Sequence, residues 1–499
     1  MGHAIVIGAG LGGVATAARL ARAGWRVTLL EKDPVPGGRC GRLQAGPYRF
    51  DTGATLYLMP YVFEELFTHL GTRADAHLDL QRLDPTYRVR FQDGTHLDLT
   101  PDLVSLHQQL EAIEPGAFAA AMRFLATGAR YHAASLDRFV GRNFRTWHEY
   151  FSPGNVPLLL TAGAVRRHFG LVQSHFRDPR LQAAFSFQSM YLGLSPMEAM
   201  ATYALLQYTE LCEGVWFPRG GIYEVVLALA AVAQGLGVRL EMATPVKAIT
   251  VAGGRATGVM LADGHKLSAD IVVANADLPY VYAALLPDDG EAARLARKRY
   301  TSSALVFCWG LMGCRSDELL HHNVFIADQE YRASFDRIFH GHTLPDRPSF
   351  YVCAPSRTDP QMAPADGDAL MVLVPVGHLA PEVPQNWPAL QARAREAVQS
   401  GLAGLGVDVP GHLDFEACWG PPEFEQKHNL TRGSAFGLSH NLTQVGYLRP
   451  HNRHRRYPNL YFVGASTHPG TGLPLTLLSA RLVSNRILSE HSTVRGGER

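Results

Sequence analysis

Four glycines crowd into six positions, Gly8-Ala9-Gly10-Leu11-Gly12-Gly13, directly after the apolar run His3–Ile7. An uninterrupted apolar run suits a strand buried on both faces. Ala15 to Ala23 then place alanines and leucine at helical spacing, with Gly24 as a stop. Arg26 to Leu30 is a second strand, closed by Glu31. Strand, turn, helix and strand define a βαβ unit that binds a dinucleotide. Gly8 permits the tight turn, Gly10 lets a pyrophosphate approach the backbone, and Gly13 lets the helix pack on the strand. Ala9 and Gly12 complete the turn, and the helix N-terminus offers N–H groups and partial positive charge to phosphate. Glu31, eighteen residues beyond Gly13, can accept from ribose hydroxyls, and its charge disfavours a 2′-phosphate.

The opposite end repeats the logic. Asn459 to Gly464 reads as a buried strand and runs into Ala465-Ser466-Thr467-His468-Pro469-Gly470-Thr471-Gly472-Leu473-Pro474. Leu475, Leu478, Leu482 and Val483 then form one apolar helical face, with Pro474 suited to a first turn. Gly464, Gly472, Leu473 and Pro474 join the candidate cofactor-binding residues. A helix N-terminus there stabilises negative charge on a redox cofactor.

A chain of 499 residues exceeds one ordinary core, so two or more domains are expected. Hydrophobic residues make up 46% and charged ones 18%, as in packed globular proteins. A formal charge of +1 carries no global field towards nucleic acid. Six cysteines without a C-x-x-C pair read as reduced thiols of a cytosolic protein. No metal-ligand spacing stands out, so no metal is expected. Residues 1–24 lack the basic segment and cleavage site of a signal peptide, and no apolar run reaches the length of a membrane span.

Past Glu31 comes Lys32, then Gly37-Gly38-Arg39. Backbone N–H groups and a guanidinium there suit a second stretch of diphosphate. The arrangement resembles the extended fingerprint of the flavin amine oxidase and carotenoid desaturase superfamily, which implies FAD. Phe50-Asp51-Thr52-Gly53 resembles that superfamily's strand reaching the flavin. Val463 to Gly472 looks like the C-terminal signature of the bacterial phytoene desaturases. Gly214-Val215-Trp216-Phe217-Pro218-Arg219-Gly220-Gly221, the His321-His322 pair before Asn323–Ile326, Val374–His378, Gly433–Leu438 and Arg449–Asn452 are similar to the same family. Only about residues 75–175 lack recognisable motifs. Leu475-Thr476 stand where many members carry Gly-Val, which leaves open a C30 or C40 substrate, the number of double bonds introduced, and a related carotenoid-intermediate desaturase or oxidase.

The resemblance implies an α/β fold. A discontinuous Rossmann-like FAD-binding domain of the glutathione-reductase kind spans 1–75, 215–285 and 455–499. An α+β substrate domain, with a helical membrane-facing part, spans 76–214 and 286–454. It implies desaturation of a long polyene such as phytoene by hydride transfer to flavin N5, with oxygen or a quinone reoxidising the cofactor. Val246 is a candidate for adenine contact through its backbone, or simply a buried strand valine. Asp178 is a candidate proton acceptor or an N-cap before Pro179, and His468 a second acceptor or a turn-ordering group.

Residues 123–180 hold nine Arg and three acidic residues, interleaved with Phe124, Phe139, Phe144, Trp147, Tyr150, Phe151 and Val156–Leu160. That pattern suits peripheral attachment at an anionic membrane surface, here the inner face of the cell membrane, or a solvated helical face over a core. Two other readings stand beside the desaturase: a flavin amine oxidase with a polar amine pocket, and a non-enzymic carrier of prenyl groups like the Rab GDP-dissociation inhibitors. The intact glycines and Glu31 count against the last.

Overall fold

The computed structural model describes residues 2–161, 163–287 and 290–492. Its centre is a five-stranded parallel sheet of β1 (His3–Ile7), β2 (Arg26–Leu30), β3 (Arg239–Glu241), β4 (Ile271–Ala274) and β5 (Leu460–Phe462), in the order β5-β4-β1-β2-β3. Three distant stretches of chain thus build one sheet. β1 pairs in parallel with β2 on one side and β4 on the other. The connection reverses direction there, and an open α/β sheet leaves its ligand crevice at such a point, beyond the strands' carboxyl ends.

Alternation along β1 explains why the sheet is covered twice. Ala4 and Val6 join a core with Val14, Ala15 and Ala18 of α1 (Leu11–Arg22). Ile5 and Ile7 join a separate core on the other face with Leu30, Val272, Leu278 and Val281. Burying side chains of this size contributes about 1.5–3 kcal/mol each. α1 packs against α2 (Tyr223–Gly235) and α3 (Leu473–Ser492), the last helix described. It stops where the sequence places a stop: Gly24 has φ +85°, and the Trp25 N–H donates to Leu20 O at 3.0 Å.

A second, seven-stranded sheet runs Leu413–Trp419, Ser303–Leu311, Asp368–Val376, Phe350–Cys353, His322–Phe325, Tyr87–Arg90 and His96–Leu99. It is antiparallel except between His322–Phe325 and Tyr87–Arg90. Every residue of Ser303–Leu311 is buried. Arg239–Glu241 and Val246–Ala252 are two strands rather than one, because Ala243 adopts φ +51° between them. Helix dominates the motif-poor stretch, beginning with Leu103–Ile113 and Ala117–Ser135 and then breaking into short pieces. Among the described residues no helix is long and apolar enough to cross a membrane.

Candidate functional site

The carboxyl ends of β1 and β4 open into a cavity of about 720 Å³, within the range of cofactor and ligand sites. Gly8, Gly10, Leu11, Gly12, Glu31, Lys32, Gly38, Arg39 and Val246 line it from the N-terminal side, and Gly464, His468, Gly472, Leu473 and Pro474 from the C-terminal side. Both glycine-rich turns therefore face one space. Of the residues picked from sequence, Ala9 and Gly13 sit just behind that surface and shape it.

The fit to a dinucleotide rests on the cradle itself. Gly10 occupies the N-cap of α1 without a side-chain cap, so the first N–H groups of a twelve-residue helix are left to a ligand. A Cβ on Gly13 would lie 2.0 Å from the Gly8 carbonyl, so only glycine allows the helix this close to the strand. Glu31, 6% exposed, uses one carboxylate oxygen to accept from Ala9 N–H at 2.6 Å and the other from Asp33 N–H at 3.0 Å. It holds the turn in shape as well as facing the cavity. The Arg39 guanidinium donates to Ala435 O at 3.1 Å, fixing its head in the wall. A Cβ on Gly472 would meet nothing within 4 Å, so that turn leaves open space on the cavity side.

Several contributors have no role assigned to them from the sequence. The Asn275 amide donates to Gly8 O at 3.2 Å and crowds Gly10, Gly12 and Gly13. Asp277 accepts from Ser466 and from Thr431 N–H, tying the C-terminal turn to the sheet. A polar pair just past a buried parallel strand, Asn275 and Asp277 after Ile271–Ala274, is the signal that could have found them. His440 accepts the Thr471 N–H at 3.1 Å through Nε2, which puts its proton on Nδ1. Nothing in the sequence around it marks that role.

His468 is 8% exposed and lines the cavity. Its Nε2–H donates to Arg142 O at 3.1 Å, leaving the Nδ1 lone pair buried without a partner. Burial lowers its pKa to about 4, so the ring is neutral at neutral pH. Asp178 lies elsewhere. Its carboxylate caps the helix Pro179–Ala184, accepts from Arg180 N–H at 2.8 Å and pairs with the Arg180 guanidinium. That guanidinium holds it below the usual carboxylate range, and it is absent from the cavity lining. Of the two roles open to Asp178, the geometry presents the cap.

Beyond the two turns the cavity becomes apolar, passing Phe139, Leu159, Phe187, Tyr191, Val324, Ile326, Tyr331, Phe335 and Ile338. The basic, aromatic stretch splits in two. Phe124, Phe139, Phe144 and Tyr150 are core, whereas Trp147, Phe151, Val156 and Val165 are exposed, at 55%, 40%, 40% and 67%. Tyr150, Leu159 and Ala164 line the cavity from the same segments.

Residues 11–488 match the family model described as flavin containing amine oxidoreductase. The chain is 46% identical to a "zeta-carotene-forming phytoene desaturase" of Myxococcus xanthus over 97% of this chain and 93% of that protein. It is 40% identical to a "phytoene desaturase" of Fusarium fujikuroi over 97% and 89%. Among solved structures, an oxidoreductase from Methanosarcina mazei superposes with a TM-score of 0.63, at 18% identity over 97% of this chain and 100% of that one.

Proposed function

The chain belongs to the flavin containing amine oxidoreductase family and, within it, to the phytoene desaturases, and from that premise we propose an FAD-dependent carotenoid desaturase that introduces double bonds into a long polyene. The observation that carries this reading is the continuity of the cavity: the dinucleotide cradle and the apolar lining belong to one space. A soluble amine would need charged or polar partners where Val324, Ile326, Phe335 and Ile338 stand.

FAD supplies the hydride acceptor when bound. The protein's own work is positioning and water exclusion. We assign Gly8, Ala9, Gly10, Gly12, Gly13, Glu31, Lys32, Gly38, Arg39 and Val246, with Gly464, Gly472, Leu473 and Pro474, to holding it. The apolar wall aligns an unactivated hydrocarbon that offers no polar handle. His468 offers the one buried lone pair on the cavity wall among the residues singled out for proton transfer, and it is neutral and weakly basic, suited to accepting a proton from an allylic cation and passing it on. The cofactor-binding body is read as 1–75, 215–285 and 455–499, and the substrate body as 76–214 and 286–454.

The exposed Trp147, Phe151, Val156 and Val165, beside Arg142, Arg145, Arg166 and Arg167, support docking on an anionic bilayer. The polyene would then enter from lipid, and a quinone dissolved there could reoxidise the cofactor by the same route; oxygen is the alternative acceptor. The test is product analysis after incubating the FAD-loaded protein with phytoene, and separately its C30 analogue, in anionic vesicles, with quinone under argon or with air. Desaturated product from either polyene is expected, and turnover of a soluble amine without polyene desaturation would overturn the reading. In flotation, Trp147→Ser with Phe151→Ser should lower vesicle-bound protein about tenfold; unchanged flotation would remove the docking face.

A further inference from the structure

Behind the cavity wall lies a cluster that the chemistry above does not use. His321, His322 and Cys353 are 5%, 1% and 3% exposed. One ligand atom from each lies within 4.8 Å of the other two. The antiparallel register sets His322 opposite Cys353, and the Ala354 N–H donates to His321 O at 2.8 Å, which pins the second histidine to the same place.

The hydrogen bonds around the rings leave the same atom bare on each. His321 Nδ1 meets Thr358 Oγ1 at 2.7 Å, and His322 Nδ1 meets the Tyr351 hydroxyl at 2.7 Å. That hydroxyl spends its proton on Thr55 Oγ1 at 2.9 Å, so His322 Nδ1 donates and its Nε2 carries a lone pair. Neither Nε2 has a hydrogen-bond partner, and both are buried. Buried imidazole nitrogens almost always have one. A histidine whose Nδ1–H is held by an oxygen while Nε2 stays free is arranged as metal-ligating histidines are. Tyr87 stacks on His322 with ring centroids 5.3 Å apart, and Phe217 meets His321 edge-on at 4.6 Å, so aromatic rings close the pocket.

We propose that His321 Nε2, His322 Nε2 and the Cys353 sulfur form a buried site for a thiophilic d10 cation, Zn²⁺ or Cu⁺, which ties the His321–Phe325 segment to the strand Phe350–Cys353. Two imidazoles and one thiolate suit these ions and disfavour Mg²⁺ or Ca²⁺, which take oxygen ligands. Binding forms two metal–nitrogen bonds and one metal–sulfur bond and releases the thiol proton to solvent. At bond lengths near 2.0 Å to nitrogen and 2.3 Å to sulfur, the ligand atoms draw together by roughly 1 Å, within reach of side-chain rotation. The site is independent of the redox reading. Its link to the cavity is Tyr351, which lines that wall and is held by His322 and Thr55.

The FAD-loaded full chain is dialysed to equilibrium against Zn²⁺, and under anaerobic reducing conditions against Cu⁺, each with a competing chelator, and bound metal is counted by mass spectrometry. One equivalent of one of the two ions is expected, falling at least tenfold in Cys353→Ser and in His322→Asn. Metal in the wild type no higher than in Cys353→Ser would overturn the proposal and leave an ordered water as the partner of the two nitrogens. Because either variant could fail to fold, Co²⁺ is also added to the wild type. A thiolate-to-cobalt charge-transfer absorption is expected, and its absence at saturating Co²⁺ would equally overturn the site.

Discussion

On one side of the cavity, recognition is built from backbone; on the other, from side chains. The cradle at the ends of β1 and β4 presents N–H groups and glycine surfaces, and even its acid, Glu31, spends both oxygens on turn amides. Across the cavity, Tyr331, Phe335, Ile338 and Tyr191 from helices, with Val324 from the largely antiparallel sheet, make an apolar wall. There the buried acid behind the wall, Glu210, has no backbone amide holding it: Tyr87 meets it at 3.3 Å, with Tyr191 and Gln188 beside it. A backbone site tolerates almost no substitution because the atoms that bind are the atoms that fold. A side-chain wall can change residue by residue, and with it the substrate.

The harshest test of that contrast is Gly13→Val. With 2.0 Å between a Cβ and the Gly8 carbonyl, the turn cannot close, and the protein should be recovered without flavin or not at all; wild-type flavin absorbance would show that the backbone cradle is not essential. Next comes Glu31→Arg, which removes two turn hydrogen bonds and buries a cation among them. FAD occupancy in the purified protein should fall by at least tenfold. Unchanged occupancy would remove Glu31 from the site.

Glu210→Gln probes the other wall. Burial raises the Glu210 carboxyl from 4.5 to about 8. Its stabilising contribution is therefore complete below about pH 4.5 and is lost as pH rises through 8, since the folded state then holds a proton that the unfolded state has released. Glutamine, which cannot ionise, should come close to the wild type at pH 5 and exceed it at pH 9 by roughly 4 kcal/mol. Parallel melting curves across that range would contradict it. Smallest for the cofactor is Phe335→Ala, whose side chain already faces open space. It should cost about 3 kcal/mol of stability or less, leave FAD occupancy unchanged, and shift the preference between C30 and C40 polyenes. Loss of flavin there would mean the two walls are not separable.

How legible each wall was follows from the same contrast. The cradle is local in sequence: strand, turn and helix lie within about thirty residues, and each glycine answers a steric demand that its neighbours reveal. His3–Ile7 and Arg26–Leu30 appear at the bounds read for them. The C-terminal turn was legible for the same reason. The apolar wall was not, because a Phe lining a cavity and a Phe in a core carry the same periodicity. Phe139 packs in a core and also lines the cavity, while Phe124, fifteen residues earlier, is core alone. The His321, His322 and Cys353 cluster escaped for another reason. Adjacent histidines on one strand would face opposite sides, but His321 precedes the strand His322–Phe325 and its ring lies 4.4 Å from that of His322. The sulfur arrives from a different strand by register alone. His440 likewise acts through a chain crossing that no local spacing records, whereas Asn275 and Asp277 stand just past a buried parallel strand.

The central claim is that the cradle and the apolar wall enclose one continuous site. Mixing the FAD-loaded protein anaerobically with phytoene in vesicles, while following flavin absorbance, tests it most directly. Continuity predicts bleaching of the oxidised flavin in step with the appearance of the new double bond, and an oxidised flavin that persists beside bound polyene would contradict it.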